Sequence, residues 1–155
     1  MTLSYDRSGC GGRNGAVMPR RDISHEVVKR ALIADGWTIT HDPYPLPFGE
    51  ESLFVDLGAE MPLGAEKAGR KIAVEAKSFL GRSPMTELER AVGQFTVYRF
   101  LLQREEADRA LYLAVSGAVY DAIFDVSDVR DLIATVQMRL LLFSPETQRI
   151  IRWIE

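Results

Sequence analysis

The nine residues Lys71-Ile72-Ala73-Val74-Glu75-Ala76-Lys77-Ser78-Phe79 constrain this chain more than any other stretch. They are apolar and β-branched enough to form a strand, and a strand sends alternate side chains to opposite faces. Ile72, Val74 and Ala76 then point one way, and Ala73, Glu75 and Lys77 the other. A carboxylate and an ammonium are thereby held side by side on a central strand, where long charged residues are seldom buried unless paired or functional. A second apolar run, Ser52-Leu53-Phe54-Val55-Asp56-Leu57, contains one acid. Leu53, Val55 and Leu57 share one of its faces, Phe54 and Asp56 the other. If the two strands are neighbours, Asp56, Glu75 and Lys77 converge on one spot.

The flanking sequence reads as a scaffold for that spot. Residues 1–17 are rich in glycine and poor in periodic apolar residues, the pattern of a flexible extension; Met18 is an alternative start. Asp22 is placed to cap a helix over 23–35, with Ile23, Val27, Ala31 and Ala34 as its apolar stripe, widened by Val28 and Leu32. Gly36 is placed to end it in the left-handed conformation. Trp37–Thr40 alternates as a first strand, stopped by Asp42-Pro43. The prolines of Pro43-Tyr44-Pro45-Leu46-Pro47 predict a semi-rigid loop. The Asp56 strand, a connection through 58–70 and the Glu75 strand complete a three-stranded antiparallel meander.

Ser83-Pro84 predicts a capped helix start and a helix to about Gln103, with Met85, Leu88, Val92, Phe95 and Leu102 on its apolar face. Ala110–Val115 is a nearly continuous apolar run, as in a strand buried on both faces. A helical stretch follows, split around Asp125–Ser127 with Ser127 or Asp128 as a cap. Segments 139–143 and 149–154 form a closing hairpin. The expected order is α-β-β-β-α-β-α-β-β, a mixed sheet flanked by helices in one α/β domain over 18–155.

Composition narrows the function classes. With 155 residues, 46% hydrophobic and 26% charged, the chain has the make-up of an ordinary globular protein. One cysteine, Cys10, excludes an internal disulfide framework and fits a reducing compartment. No apolar run approaches the ~18–20 residues that span a membrane, and 1–17 contains no signal-like segment. The expected location is therefore cytoplasmic and away from membranes. A formal charge of −3 argues against strong unaided nucleic-acid binding, although Arg13, Arg20, Arg21, Lys29 and Arg30 form a local basic group. A bound metal would reconcile acidic side chains with a phosphate substrate.

An acid on one strand followed by Glu-x-Lys on the next suits phosphodiester hydrolysis. Asp56, Glu75 and the backbone carbonyl of Ala76 offer hard oxygens to Mg²⁺ or Mn²⁺. Such a metal acidifies a bound water and offsets charge on phosphorus oxygens, and Lys77 can orient the water or steady the transition state. Read without its neighbours, Glu-x-Lys is only a solvated pair worth little. Gln94 and Tyr98, spaced i,i+4, project from one side of their helix. Singly they read as a polar stripe at the sheet edge; together with the acids they can contact a phosphate or a metal-bound water. Glu26 sits near the first turn of its helix, where a solvated, dipole-favoured acid and a contributor to the site are both open. His25 reads as a surface or boundary residue and His41 as a turn residue, because neither has metal-ligand spacing. Trp37 and Trp153 read as core or strand residues rather than stacking platforms.

Several blocks, in order, resemble the XisH family: Asp22-Ile23, Lys29–Ile33, Asp35–Pro43, Leu53–Glu60, Ile72–Phe79, Gly93–Phe95, Tyr98-Arg99, Leu111–Val115 and Trp153-Ile154. The resemblance covers about residues 18–155. It implies an excision controlling factor of the cyanobacterial fdxN DNA element, working in DNA recombination with a site-specific recombinase and a companion protein, XisI. It also implies a restriction-endonuclease-like fold of the PD-(D/E)xK superfamily, an αβββαβ core plus a C-terminal helix and hairpin. Under it Asp56 matches the metal-binding acid, Glu75 and Lys77 the E-x-K, Gln94 and Tyr98 a Q-x-x-x-Y helix motif, and Glu26 an added helix acid. Val55 stands where the motif's proline precedes the acid. Two readings remain open: a Mg²⁺-dependent endonuclease or phosphodiesterase acting on DNA, and a non-catalytic accessory binding DNA or an XisI-like partner. A homo-oligomer is compatible with either.

Overall fold

A computed structural model describes residues 22–61 and 69–155, so the N-terminal extension and residues 62–68 of the expected connection lie outside the described residues. The chain runs α1 (His25–Ala34), β1 (Thr38–His41), β2 (Tyr44–Phe48), β3 (Glu51–Val55), β4 (Leu57–Met61), β5 (Arg70–Ala76) and α2 (Pro84–Glu105). It continues through β6 (Arg109–Ser116), α3 (Gly117–Val119) with a following π-helical turn (Tyr120–Phe124), α4 (Ser127–Thr135), β7 (Leu140–Ser144) and β8 (Arg149–Ile154). Six strands form a mixed sheet in the order β1-β4-β5-β6-β7-β8, while β2 and β3 form a separate antiparallel pair. β5, β6 and β7 are parallel, and the remaining pairings of the large sheet are antiparallel.

The alternation expected of the central strands holds and divides the core in two. On β5, Ile72, Val74 and Ala76 meet Val28 and Leu32 of α1, whereas Ala73 faces the α2 layer. On β6, Leu111, Leu113 and Val115 join Leu88, Phe95 and Leu102 of α2, while Tyr112 and Ala114 lie on the α1 side. Glu75 and Lys77 therefore belong to the α2 side by strand parity. β5 stops at Ala76, earlier than expected: Lys77 N still donates to Ala114 O at 3.0 Å, and the chain turns at Phe79 with φ 54°.

Several expectations are corrected. α1 begins at His25 after Ser24, which makes no side-chain cap, and Asp22 instead bonds outside the helix. Its buried stripe is His25, Val28, Ala31 and Leu32, and Ile23 is exposed because it precedes the helix. Gly36 does take the left-handed conformation, at φ 94°. The proline-rich segment is a strand, β2, rather than a loop. Pro45 and Pro47 are two apart, so their missing N–H groups share one side and leave Tyr44, Leu46 and Phe48 to bond β3. The run 52–57 is two strands that part at Asp56: β3 pairs with β2, and β4 pairs with β1 and β5. Residues 58–61 are thus sheet, not connection. Gly58 is required there, because a Cβ would lie 2.9 Å from the Tyr44 ring and 3.0 Å from that of His41.

Ser83 caps α2, accepting from Thr86 N at 3.2 Å, but Met85 is exposed and the buried face runs through Leu88, Ala91, Phe95, Tyr98, Leu101 and Leu102. α4 is preceded by Val126, so neither Ser127 nor Asp128 caps it. Trp37 and Trp153 are core partners, 5.6 Å between ring centroids. Among the described residues, no helix is long and apolar enough to cross a membrane.

The end of the sheet opposite Glu75 is tied by Arg109, whose side chain is 1% exposed. It donates to Ile72 O (2.8 Å), Glu106 Oε2 (2.7 Å) and Glu60 Oε1 (2.9 Å), and its guanidinium lies over the Tyr44 ring at 4.8 Å. Glu106 also accepts from Tyr44 Oη and Lys71 Nζ. Its carboxyl is held down to about 2, chiefly by Arg109. Removing the cation takes a buried donor from the Ala59 and Ile72 carbonyls and from Glu106, which keeps Tyr44 and Lys71. Arg109→Ala should cost about 3–5 kcal/mol, read from urea unfolding midpoints.

Candidate functional site

The split at Asp56 creates the site. β4 starts where β5 ends, with Leu57 opposite Val74, so Asp56 lies beside Glu75 and Ala76. The backbone N–H of Asp56 donates to Glu75 Oε2 (3.1 Å), and the N–H of Ala76 donates to Asp56 Oδ2 (2.9 Å). Each acid is therefore gripped by the other's strand. Lys77 Nζ lies 3.6 Å from Glu75 Oε1. The convergence expected of Asp56, Glu75 and Lys77 is observed, and Ala76 joins them.

A cavity of 460 Å³ opens over this cluster, lined by Asp22, Ile23, Asp56, Glu75, Ala76, Lys77, Ser78 and Leu80. Asp22 braces its rim: Oδ2 accepts from both Ser78 N (3.0 Å) and Ser78 Oγ (2.9 Å), tying the approach to α1 to the exit of β5. A larger cavity of 560 Å³ lies elsewhere, against Arg99, Tyr120, Arg130 and Arg139, and includes none of the sequence candidates. Two of its arginines are engaged internally, Arg99 with Val136 O and Gln137 O, Arg130 with Asp125. The smaller cavity has the chemistry.

Burial and mutual repulsion dominate the electrostatics. Glu75 is 8% exposed, and desolvation, followed by the Asp56 charge, pushes its carboxyl up to about 8. Asp56 is also raised by burial, against the Ala76 N–H, His25 and Lys77. Magnitudes explain the balance. Desolvating a carboxylate costs several kcal/mol, whereas a hydrogen bond to a charged group returns about 1.5–3 kcal/mol. Lys77 is more than a quarter exposed and so is partly screened. Gln94 Nε2 donates to Tyr98 Oη at 2.8 Å, and the Tyr98 hydroxyl is pushed up to about 12 by burial and then by the Glu75 charge. Tyr98 stays a neutral phenol on the acid cluster's side of the sheet.

Two hard-oxygen donors that repel each other in a dry site are a donor set a divalent cation fits. With Asp56 Oδ2 and Glu75 Oε2 holding backbone N–H groups, the oxygens that would face it are Asp56 Oδ1, 3.6 Å from His25 Nδ1, and Glu75 Oε1, 3.6 Å from Lys77 Nζ.

His25 is the residue that sequence reasoning misplaced. It is 2% exposed, with Nε2 2.9 Å from Asp42 Oδ1 and Nδ1 3.6 Å from Asp56 Oδ1. The signal was its spacing: 25, 28 and 32 fall on one helical face, so His25 belongs to the buried stripe. Glu26, adjacent on α1, groups with His25 and Asp42, their ligand atoms all within 4.8 Å of one another. His41 ends β1 edge-on to Tyr44, at 4.7 Å.

Together the fold and the site define a mixed α/β protein with a buried acid pair and a lysine where one antiparallel strand begins and its neighbour ends. The chain belongs to the XisH family, whose model, described as XisH protein, matches residues 18–151. It is similar to a solved XisH family protein from Nostoc punctiforme PCC 73102, with 40% identity over 86% of this chain and all of that one, TM-score 0.78. It is also similar to an fdxN element excision controlling factor protein from Anabaena variabilis, with 41% identity over 87% of this chain and all of that one, TM-score 0.77. No match is found among curated proteins.

The pH dependence follows from Glu75. Its folded-state carboxyl titrates near 8, above the ordinary 4.5, so the folded form holds its proton more tightly than the unfolded one. That contribution is fully present below about pH 4.5 and is lost as pH rises through 8. Glu75→Gln, which keeps an acceptor for Asp56 N, should raise the metal-free melting temperature more at pH 8 than at pH 5, measured by circular dichroism.

Proposed function

We propose that this chain is an excision controlling factor carrying a metal-dependent, nuclease-like phosphodiesterase site of the PD-(D/E)xK, restriction-endonuclease-like kind. Its substrate is DNA during excision or recombination of a mobile or programmed element. The observation that carries the reading is the reciprocal grip of Asp56 and Glu75 on each other's strand, with Lys77 beside Glu75. Resemblance of the chain to an fdxN element excision controlling factor supports the DNA context.

Asp56, Glu75 and the carbonyl of Ala76 would hold Mg²⁺ or Mn²⁺. When bound, the cation supplies Lewis-acid stabilisation and a more acidic water. Lys77 orients the attacking water or a phosphate oxygen from the floor of the cavity. Tyr98, held by Gln94, would donate a hydrogen bond from its neutral hydroxyl to a phosphate or water on the same side. Asp22 and Ser78 hold the mouth of the cavity in place. Because Glu75 retains its proton near neutrality, cation binding tightens as pH rises toward 8 and that proton leaves.

The formal charge of −3 favours a second feature: DNA engagement depends on a partner, an XisI-like companion or the recombinase itself. The same charge is what a non-catalytic accessory would show, and experiment separates the two. In calorimetric titrations at pH 8, wild type should bind Mg²⁺ or Mn²⁺ saturably, and Asp56→Ala should abolish that binding. Lys77→Ala should retain the metal but lower cleavage of plasmid or oligonucleotide DNA by about 100-fold or more, the scale of losing a transition-state donor. A Glu75→Ala, Lys77→Ala double variant that still supported element excision fully would remove catalysis and leave the accessory role.

A further inference from the structure

The outer face of α2 carries a pattern that the fold does not use. Its inner face buries Leu88, Ala91, Phe95, Tyr98, Leu101 and Leu102. Glu89, Gly93, Thr96, Val97, Phe100 and Arg104 are exposed, and the turn of an α-helix gathers them into one stripe about 100° wide. A solvated stripe is ordinarily polar along its length. Here only the ends are charged, with Glu89 toward the N-terminus and Arg104 toward the C-terminus. The middle holds Val97, 43% exposed, and Phe100, 57% exposed. Arg104 lies over the Phe100 ring at 5.5 Å, at the rim of the apolar patch. Gly93 is a second, independent observation. After proline, glycine is the least favourable residue inside a helix. A Cβ at 93 would meet nothing within 4 Å, so packing within the chain does not demand glycine there. Its missing side chain leaves a notch in the exposed middle of a 22-residue helix, one turn from Val97 and two from Phe100.

We infer that this stripe docks a second copy of the chain, α2 against α2, antiparallel about a two-fold axis that passes between Thr96 and Val97. In that register Phe100 of each helix enters the notch at Gly93 of the other, Val97 meets Thr96, and Glu89 faces Arg104 at both ends. Moving the axis half a residue, onto Val97, would set Arg90 against Arg104 and Glu89 against Glu105. Charge therefore selects the first register. An isologous contact needs a surface that complements itself, and this one supplies both knob and notch, both acid and base. About four turns of helix from each copy lie at the small end of specific interfaces, which sets a dissociation constant of about 1–100 µM. Gln94 lies outside the stripe and Tyr98 is on the buried face, so the inference requires nothing of the acid pair.

Sedimentation equilibrium of the full chain, from about 5 to about 500 µM, is expected to show a monomer–dimer equilibrium. Phe100→Glu weakens the dimer by at least about 10-fold. Gly93→Leu fills the notch and does the same, while its melting temperature at the dilute end, read by circular dichroism, is no lower than that of wild type. Glu89→Arg also weakens association, and adding Arg104→Glu to it restores the affinity, because each end of the contact then pairs with its sign reversed. A chain that stays monomeric over the whole range overturns the inference, and leaves the face to some other partner. Undiminished dimerisation in both Phe100→Glu and Gly93→Leu overturns it too, since the copies then meet through another surface. So does a double charge reversal that binds no more tightly than Glu89→Arg alone.

Discussion

Everything around the site depends on two hydrogen bonds that run in opposite directions between neighbouring strands. Asp56 N donates to Glu75 Oε2, and Ala76 N donates to Asp56 Oδ2. At Asp56 the chain leaves the small β2–β3 pair and enters the large sheet, so its N–H has no strand partner at the point of transfer. Glu75 supplies one. An acid at 56 is likewise what satisfies Ala76 N as β5 ends. Unpaired buried backbone groups are rare because each costs as much as a lost hydrogen bond. The side chains that repair this break are thus the same ones that concentrate negative charge, and structure and chemistry share one constraint.

The opposite end of the same strands shows how differently charge behaves when fully compensated. Arg109 is as buried as Glu75, but carbonyls, two carboxylates and the Tyr44 ring surround it. There Glu106 is driven down to about 2, whereas Glu75 is driven up to about 8. Both are carboxylates in one sheet. Arg109 chiefly draws the first down, whereas burial, and then the Asp56 charge, drives the second up against Lys77. Compensated charge ties one end of the sheet, and incompletely compensated charge collects at the other.

The legible parts of the sequence were those governed by local periodicity. Alternation along 71–77 placed Glu75 and Lys77 together, the apolar run 110–115 marked the doubly buried β6, and Ser83-Pro84 marked the start of α2. The convergence of Asp56 with Glu75 was foreseen as a consequence of strand adjacency, and the pairing of Leu57 with Val74 realises it. Local signals misled where a tertiary partner reversed their meaning. Prolines at 45 and 47 look like loop punctuation until a strand pairs on their other side. Asp22 looks like a helix cap until Ser78 comes within reach. His25 looks like a boundary residue until β1 and the Asp56 corner enclose it.

By itself the sequence determined the faces: which side chains share a strand surface, hence that an acid and a lysine project together from β5, and that apolar residues cover both sides of β6. Those are properties of a 3.6- or 2-residue period and need no partner to be true. Only the tertiary structure decided what lies opposite. It split 52–57 at Asp56 into strands of two sheets, and it brought Asp42, 17 positions beyond His25 in the sequence, against the buried imidazole. Proximity between distant segments is set by packing and by the need to satisfy backbone groups, and no local pattern encodes it.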